Sequence, residues 1–260
     1  MSRTNWVFLR GLIRQHRHWE DFPARFQAAF PDAEPVLLDL PGNGDLCREE
    51  SCTSVPEMVE SLREQLCGRS VQGPVHLMAI SLGAMVGIEW MQRYPQEIER
   101  AVLINTSLRG LSRFSDRLRR ENYRDIVKAL LFGSHQRREE LVLELTSNLY
   151  PQRRELAQKW AGYAEQWPVS RMNALRQLFA AGTYHAPDAR PHEHVLLLQS
   201  LGDHLVNPVC TTRIAENWRW PLVSHPNAGH DLPLDDGDWI IRQVDHWLRE
   251  PDARWQSASA

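Results

Sequence analysis

Short apolar runs alternate along this chain with longer segments in which apolar residues recur at helical spacing. The apolar runs cover residues 6–9, 36–39, 75–78, 101–105, 195–199 and 222–224. Runs of that length with little polar alternation predict strands that are buried on both faces, as in a parallel sheet covered by helices. The pattern therefore predicts an α/β fold with a mostly parallel sheet of about six strands.

Helical spacing marks several of the segments between and after these strands. Helices are predicted over residues 19–30, 56–68, 82–93 and 239–248, and a loose tail over 251–260. The stretch between the fourth and fifth strands shows helical patterning and no convincing strand. We therefore divide the chain into a core of residues 1–106 and 191–260 and a helical insertion, residues 107–190, that forms a cap over the sheet.

The third strand leads through a short turn into a helix, and Ser81 lies in that turn. A strand, a sharp turn and a helix, with small residues on both sides of the serine, are the setting of a nucleophile elbow. Gly83 fits this pattern, and Ala79 stands where glycine is usual. The start of a helix also favours developing negative charge. A serine that only caps the helix would fit the same turn, so the catalytic role of Ser81 depends on whether the chain also supplies a base and an acid.

A serine hydroxyl is a poor nucleophile at neutral pH unless a base, oriented by an acid, takes its proton. Asp203 comes just after the fifth strand, and His230 follows Gly229 in the loop after the sixth. The order serine, acid, histidine is that of the triads found on this kind of sheet. All three residues follow strand ends and therefore share one edge of the sheet. We predict Ser81 as nucleophile, His230 as base and Asp203 as orienting acid.

Three other polar residues compete for these roles, and the end of the fourth strand is a further place for an acid. Asp39, at the end of the second strand, is expected to hold the turn formed by residues 41–44. The fourth strand ends in Asn105, so no acid stands there. Asp231 is expected to point away from the site. His76 lies inside a strand and is expected to be a packed, hydrogen-bonded core residue.

Five motifs carry a resemblance to a known family. They are Arg10-Gly11-Leu12, Asp39-Leu40-Pro41-Gly42-Asn43-Gly44, Ser81 in its elbow, Gly202-Asp203 and Gly229-His230. With these motifs the chain resembles the α/β-hydrolase superfamily over almost its whole length. The resemblance implies that the first strand lies between the second strand and the strand that carries Ser81. It also implies an oxyanion hole made by the backbone N–H groups of Leu12 and Leu82. Arg10 stands where the family usually has histidine, and could instead pair with a carboxylate.

The resemblance further implies hydrolysis of a carboxylic ester through an acyl-enzyme, with no cofactor. The cap carries three apolar stripes that are expected to face inward and in part to line an apolar acyl pocket. These stripes are Ile126, Leu130 and Leu131; Leu141, Leu145 and Leu149; and Met172, Leu175 and Phe179. Residues 107–190 also hold 15 Lys and Arg against nine Asp and Glu. Such a surface can steer an anionic substrate or an acidic acyl carrier protein, although solvated helix faces explain the excess more simply.

Three alternative functions stay open on these residues. The first is an esterase for acyl-carrier-linked esters, similar to the esterase of biotin synthesis, which would use the arginines of the cap. The second is a carbon–carbon bond hydrolase or acyltransferase with the same triad. The third is a ligand-binding homologue that keeps the pocket without catalysis, and the intact triad argues against it.

Composition narrows the class of protein further. The chain has 260 residues and a formal net charge of −3, which argues against a nucleic-acid binder. Its four cysteines form no CxxC pair, so neither a zinc site nor a disulfide framework is expected. No apolar run is long enough to span a membrane, and the first residues lack the features of a signal peptide. We expect a cytoplasmic protein that binds a small ester with an apolar acyl part and needs no metal.

Overall fold

The computed structural model describes residues 3–69, 71, 73–126 and 134–249 of the chain. Within these residues six strands form one sheet in the order β2-β1-β3-β4-β5-β6, and every neighbouring pair is parallel. The strands are β1 (Thr4–Leu9), β2 (Ala33–Leu38), β3 (Val75–Ile80), β4 (Ile98–Ile104), β5 (Val195–Ser200) and β6 (Leu222–His225). The predicted parallel sheet is confirmed, and the first strand lies between the second and the third as the resemblance implied.

Helices connect the strands. They are α1 (Phe22–Ala29), α2 (Val55–Gly68), α3 (Leu82–Arg93), α4 (Phe114–Arg117), α5 (His135–Thr146), α6 (Arg153–Gln166), α7 (Arg171–Thr183), α8 (Val209–Trp218) and α9 (Leu232–Arg249). The predicted bounds of α3 are confirmed. In contrast, α9 begins well before the expected residue 239 and bends at Asp236. The prediction missed α8, whose threonines and β-branched residues are weak helix formers. Among the described helices, none has the length and apolar character needed to cross a bilayer.

Alternate residues of the strands enter two apolar cores, one on each face of the sheet. Val7 and Leu9 of β1 belong to the core formed with α2, α3 and α8. Trp6 and Phe8 of the same strand belong to the core formed with α1 and α9. Because successive side chains of a strand point to opposite faces, a strand covered on both sides must be apolar at every position. This explains the unbroken apolar runs of the sequence.

The described part of the segment between β4 and β5 contains α4 to α7. An isolated bridge between Arg109 and His185 joins the two ends of this segment. α5 and α6 pack on each other around a small apolar core that holds Leu143, Leu156, Ala157 and Trp160. Glu20, outside the segment, accepts hydrogen bonds from Lys159 Nζ (2.5 Å) and from the indole N–H of Trp160 (2.7 Å). Polar contacts therefore hold these helices against the body of the fold.

Candidate active site

Ser81 lies in the turn between β3 and α3, with backbone angles of φ 57° and ψ −118°. Residues with side chains rarely adopt a positive φ, so the surrounding structure has to hold the turn in place. The N–H of Ser81 donates to the carbonyl of Ile104 (2.9 Å), and Thr106 Oγ1 donates to the carbonyl of Ser81 (2.9 Å). At Gly83 a Cβ would lie 2.5 Å from the carbonyl oxygen of Leu9. The turn thus has the strain and the close approach of a nucleophile elbow.

His230 and Asp203 form a buried pair on the loops that follow β6 and β5. Nδ1 of His230 lies 2.6 Å from Oδ2 of Asp203, and both residues are almost inaccessible to solvent. The other carboxylate oxygen of Asp203 accepts the backbone N–H groups of Leu205 (2.8 Å) and Val206 (2.9 Å). These donors orient the carboxylate, which leaves Oδ2 for the ring. An acid in this position favours the proton on Nδ1 and leaves Nε2 to accept one.

Ser81 and His230 line the same cavity, so the structure brings the three predicted residues to one edge of the sheet. Among the described residues, no hydrogen bond joins the hydroxyl of Ser81 to the ring of His230. Hydrogen bonds between catalytic groups are often long in a free enzyme and shorten when substrate binds. The arrangement therefore allows a proton transfer from Ser81 to His230 once a substrate is in place.

The loop after β1 lies against Ser81. A Cβ on Gly11 would lie 3.0 Å from Cβ and 3.5 Å from Oγ of Ser81, so a side chain here would crowd the hydroxyl. Within the part of the chain that the structure describes, the N–H groups of Leu12 and Leu82 donate to no protein acceptor. Both N–H groups are thus available near Ser81 for an oxygen of a ligand, as an oxyanion hole requires.

Asp231 is not turned away from the site, so this expectation was wrong. Two nitrogens of Arg10 donate to its two carboxylate oxygens, at 2.9 Å and 2.6 Å, and both side chains are buried. The guanidinium of Arg10 also lies over the ring of Trp19, at 5.0 Å from its centroid. Arg10, in the place where the family usually has histidine, therefore ties the loop after β1 to the residue that follows His230.

The cavity has a volume of about 250 Å³ and a largely apolar wall. Of the apolar stripes expected to face inward, Ile126, Leu141 and Leu145 line it. The expectation was wrong for Leu149 and for the α7 stripe of Met172, Leu175 and Phe179, which are all exposed. Leu130 and Leu131 lie outside the described residues.

The face of α7 that reaches the cavity is not the one that carries the predicted stripe. Ala174 and Leu178 line the cavity from this helix, and Gln177 beside them is fully buried. The amide oxygen of Gln177 accepts the N–H of Ile13 (2.9 Å) in the loop after β1. The helix therefore packs through small and polar residues, and its largest apolar side chains are left outside. The large apolar side chains of α7 therefore did not indicate which face of the helix meets the cavity.

Two residues that hold the site together were not predicted as such. The side chain of Asn105 donates to the carbonyl of His230 (2.8 Å) and accepts the N–H of Ser200 (2.8 Å). Asp235 accepts the N–H groups of Gly229 (2.6 Å) and Asn148 (2.8 Å). Both link loops that are far apart in the sequence, so no local pattern indicates them.

Asp39 has the structural role predicted for it, whereas His76 is packed in the core as predicted but lacks the predicted hydrogen bond, since no described residue makes one to either ring nitrogen. The carboxylate of Asp39 accepts the N–H groups of His16 (2.7 Å) and Asp45 (3.1 Å), which holds the turn after β2. His76 is buried against the ring of Trp6. His16, Asp39 and Asp45 are also close enough to share a metal ion. The hydrogen bonds to Asp39 and the salt bridge from Arg17 to Asp45 (2.8 Å) already occupy these oxygens, so we assign no metal.

Comparison with protein families finds a model described as the alpha/beta hydrolase family, which matches residues 6–243. Among curated proteins, the biotin biosynthesis bifunctional protein BioHC of Teredinibacter turnerae is 32% identical over 107 residues. This match covers 41% of the chain and only 18% of that much longer protein.

Solved structures with the same fold include three that match almost the whole chain. A meta-cleavage product hydrolase from Pseudomonas fluorescens IP01 has a TM-score of 0.77 at 17% identity, with 96% of this chain and 92% of that chain covered. An esterase from Thermogutta terrifontis has a TM-score of 0.74 at 16% identity, covering 96% and 90%. A hydrolase from Pseudomonas aeruginosa PA01 has 0.75 at 18% identity, covering 95% and 90%. At these identities the similarity shows the fold alone.

Proposed function

Because the chain belongs to the alpha/beta hydrolase family, we propose that it is a serine hydrolase that cleaves a carboxylic ester. One observation carries the proposal. Ser81, in a strained turn, and His230, in a buried pair with Asp203, line the same cavity. A strained backbone held by packing is common at functional sites, and a buried histidine–carboxylate pair is what a serine nucleophile needs.

The reaction proceeds in two steps through an acyl-enzyme. Oγ of Ser81 attacks the ester carbonyl while Nε2 of His230 takes its proton, and Asp203 stabilises the imidazolium that results. The oxyanion of the tetrahedral intermediate accepts hydrogen bonds from the N–H groups of Leu12 and Leu82. The alcohol leaves with the proton from His230, and water then hydrolyses the acyl-enzyme by the same steps.

The helical segment of residues 107–190 serves as the cap of this active site, and residues 1–106 and 191–260 form the catalytic core. Leu141 and Leu145 from the cap and Ile80 from the core support an apolar acyl pocket, because all three line the cavity. The substrate is therefore a small ester with an apolar acyl part, and the residues of the triad need no cofactor for this chemistry.

A fluorophosphonate probe and p-nitrophenyl esters of increasing chain length test the proposal. The protein should be labelled and should hydrolyse the esters, whereas Ser81→Ala should do neither. Asp203→Asn should lower kcat by a large factor, about 10⁴-fold by analogy with a well-studied triad, while Asp188→Asn on an exposed loop should leave it unchanged. Labelling of Ser81→Ala at the rate of the native protein would refute the assignment, and absent labelling of the native protein would favour a ligand-binding homologue.

A narrower substrate is supported by the relative from Teredinibacter turnerae, whose name assigns it to biotin biosynthesis. On this reading the ester is linked to an acyl carrier protein, which approaches the arginines of the cap. A higher kcat/KM for carrier-linked esters that falls with salt would support this reading, because exposed charges are screened. Equal kcat/KM for free and carrier-linked esters, insensitive to salt, would refute it. Turnover of carbon–carbon or acyl-transfer substrates, with the esters untouched, would identify the other class of reaction.

A further inference from the structure

The cavity beside Ser81 carries more positive than negative side chains. Its wall includes four arginines and two carboxylates, which are Arg10, Arg14, Arg138, Arg171, Glu139 and Asp231. Both carboxylates are already bonded, Asp231 to Arg10 and Glu139 to Arg14, each at 2.6 Å. Arg10 and Arg14 are therefore neutralised within the wall itself. An arginine that lacks such a partner in an apolar wall favours a ligand that carries an anion.

Arg138 has no partner for its charge among the described residues. Within the described part of the chain, no salt bridge or side-chain hydrogen bond reaches its guanidinium, and its Nε is buried without an acceptor. The adjacent Arg137 points to solvent instead, where it pairs with Glu140 (3.1 Å) and Glu144 (3.7 Å). Glu140 and Glu144 thus neutralise the outer arginine, and no described carboxylate does the same for Arg138. A buried donor without an acceptor is unfavourable, and a ligand oxygen would relieve it.

Arg138 lies at the opposite end of the cavity-facing stripe of α5 from the reaction centre. The carbonyl of Thr146, near the end of this helix, accepts the N–H of Asp231 (2.7 Å) beside His230. Arg138 and Thr146 are eight positions apart, or about 12 Å along the helix axis. Leu141, Val142 and Leu145 line the cavity between the two ends. The wall is therefore charged at the far end, apolar in the middle and reactive at the near end.

We propose that Arg138 binds a carboxylate at the far end of the acyl chain, so that the preferred substrates are monoesters of dicarboxylic acids. The inference rests on the proposed function, in which Ser81 attacks the ester carbonyl at the near end. The planar guanidinium suits a carboxylate because it can donate two parallel hydrogen bonds. Arg138 is then a specificity-determining residue that contacts substrate away from the reacting atoms.

The test compares matched pairs of p-nitrophenyl esters. In each pair the acyl chain has the same length and ends either in a carboxylate or in a methyl group. The native protein should prefer the carboxylate member by about 10- to 100-fold in kcat/KM at the best chain length, the factor that a typical hydrogen bond to a charged group corresponds to. The shortest pairs should show no preference, because their chains cannot reach from Ser81 to Arg138.

Three variants separate the role of Arg138 from a general effect of charge. Arg138→Met should abolish the preference, mainly by raising KM for the carboxylate-ended esters. Arg138→Lys should restore part of it, and Arg137→Met, which removes the adjacent exposed charge, should retain all of it. The proposal would be overturned if the kcat/KM ratio of carboxylate-ended to methyl-ended esters were the same in the native protein and in Arg138→Met. It would also be overturned if Arg137→Met lost the preference to the same extent as Arg138→Met.

The outcome stays distinct from that of the proposed function. Hydrolysis of methyl-ended esters that depends on Ser81, without a carboxylate preference, would refute the role of Arg138 alone. If no ester is hydrolysed, calorimetric titration of Ser81→Ala with monomethyl esters of dicarboxylic acids decides the binding question. The proposal is supported if these monoesters bind more tightly than methyl esters whose acyl chain ends in a methyl group, and if this difference disappears when Arg138→Met is added to Ser81→Ala. Equal binding refutes it.

Discussion

The buried ion pair between Arg10 and Asp231 joins two loops that are 221 residues apart in the chain, with hydrogen bonds of 2.9 Å and 2.6 Å. Arg10→Met keeps most of the side-chain length and removes the charge. The carboxylate of Asp231 would then be buried without its counter-charge, with 4% of the residue exposed. Breaking a buried pair on one side is far more damaging than removing both partners, because an uncompensated charge remains.

The expected magnitude follows from this burial. Arg10→Met should lower the free energy of unfolding by about 3–5 kcal/mol, the range for one-sided removal of a buried pair. The double variant Arg10→Met/Asp231→Leu should lose much less than the single one, because apolar residues of similar volume replace both charges. Arg3→Met is the matched control, since Arg3 pairs with Glu34 at the surface, where 77% and 40% of the side chains are exposed. Such a pair contributes about 0–1 kcal/mol.

Urea unfolding followed by circular dichroism measures these differences, and steady-state kinetics measures their effect on the site. Because Arg10 precedes Gly11 and Leu12, its loss should displace the loop that faces Ser81 and lower kcat more than it raises KM. The reasoning is refuted if Arg10→Met destabilises the protein no more than Arg3→Met. It is also refuted if the double variant is as unstable as the single one.

Three further predictions concern single positions. Gly83→Ala should destabilise the protein by about 1–3 kcal/mol, because its Cβ would lie 2.5 Å from the backbone oxygen of Leu9. Gly162→Ala, in α6 with nothing within 4 Å of the added Cβ, should instead stabilise it by about 0.5–1 kcal/mol. Equal changes of the two variants in urea unfolding would contradict the packing argument. Asn105→Ala should lower the free energy of unfolding by about 1–3 kcal/mol, because the N–H and carbonyl groups it bonds would stay buried and unpaired; no loss in the same melts would refute this. Burial, together with the positive charge of a neighbouring arginine, lowers the pKa of His18 well below its usual value, so the unfolded chain takes up the proton first as the pH falls. Thermal stability should therefore be fully present above about pH 6.5 and decline below it, more in the native protein than in His18→Phe, and parallel declines in Tm would refute this.

The order of the strands in the chain, the elbow and the candidate triad could all be recognised from the sequence. A strand with helices on both faces must be apolar at every position, and this pattern is local. The turn at Ser81 needs small neighbours, which are Ala79 and Gly83. Asp203 and His230 could be selected because parallel strands end at one edge of a sheet, so position in the chain predicts position in space.

Other features depend on contacts between distant segments. Residues 137 and 138 are adjacent arginines, and only the packing of α5 places one of them in solvent and the other at the cavity. The stripe that includes Phe179 has the periodicity of a buried face, yet α7 packs through Ala174 and Gln177. Helical periodicity shows that a face is distinct, but not which neighbour it meets.

The strands of the sheet, most of the helices and the chemical groups brought to one edge of it could thus be predicted from the sequence, although α8 and the start of α9 could not. Only the folded chain shows that Arg10 bonds to Asp231, that Asn105 supports the loop of His230, and that Arg138 finds no partner among the described residues. The difference comes from the range of the interactions. The spacing of apolar residues in a strand or helix is a local feature of a few residues, whereas a buried charge is stabilised by whichever segment the fold brings against it.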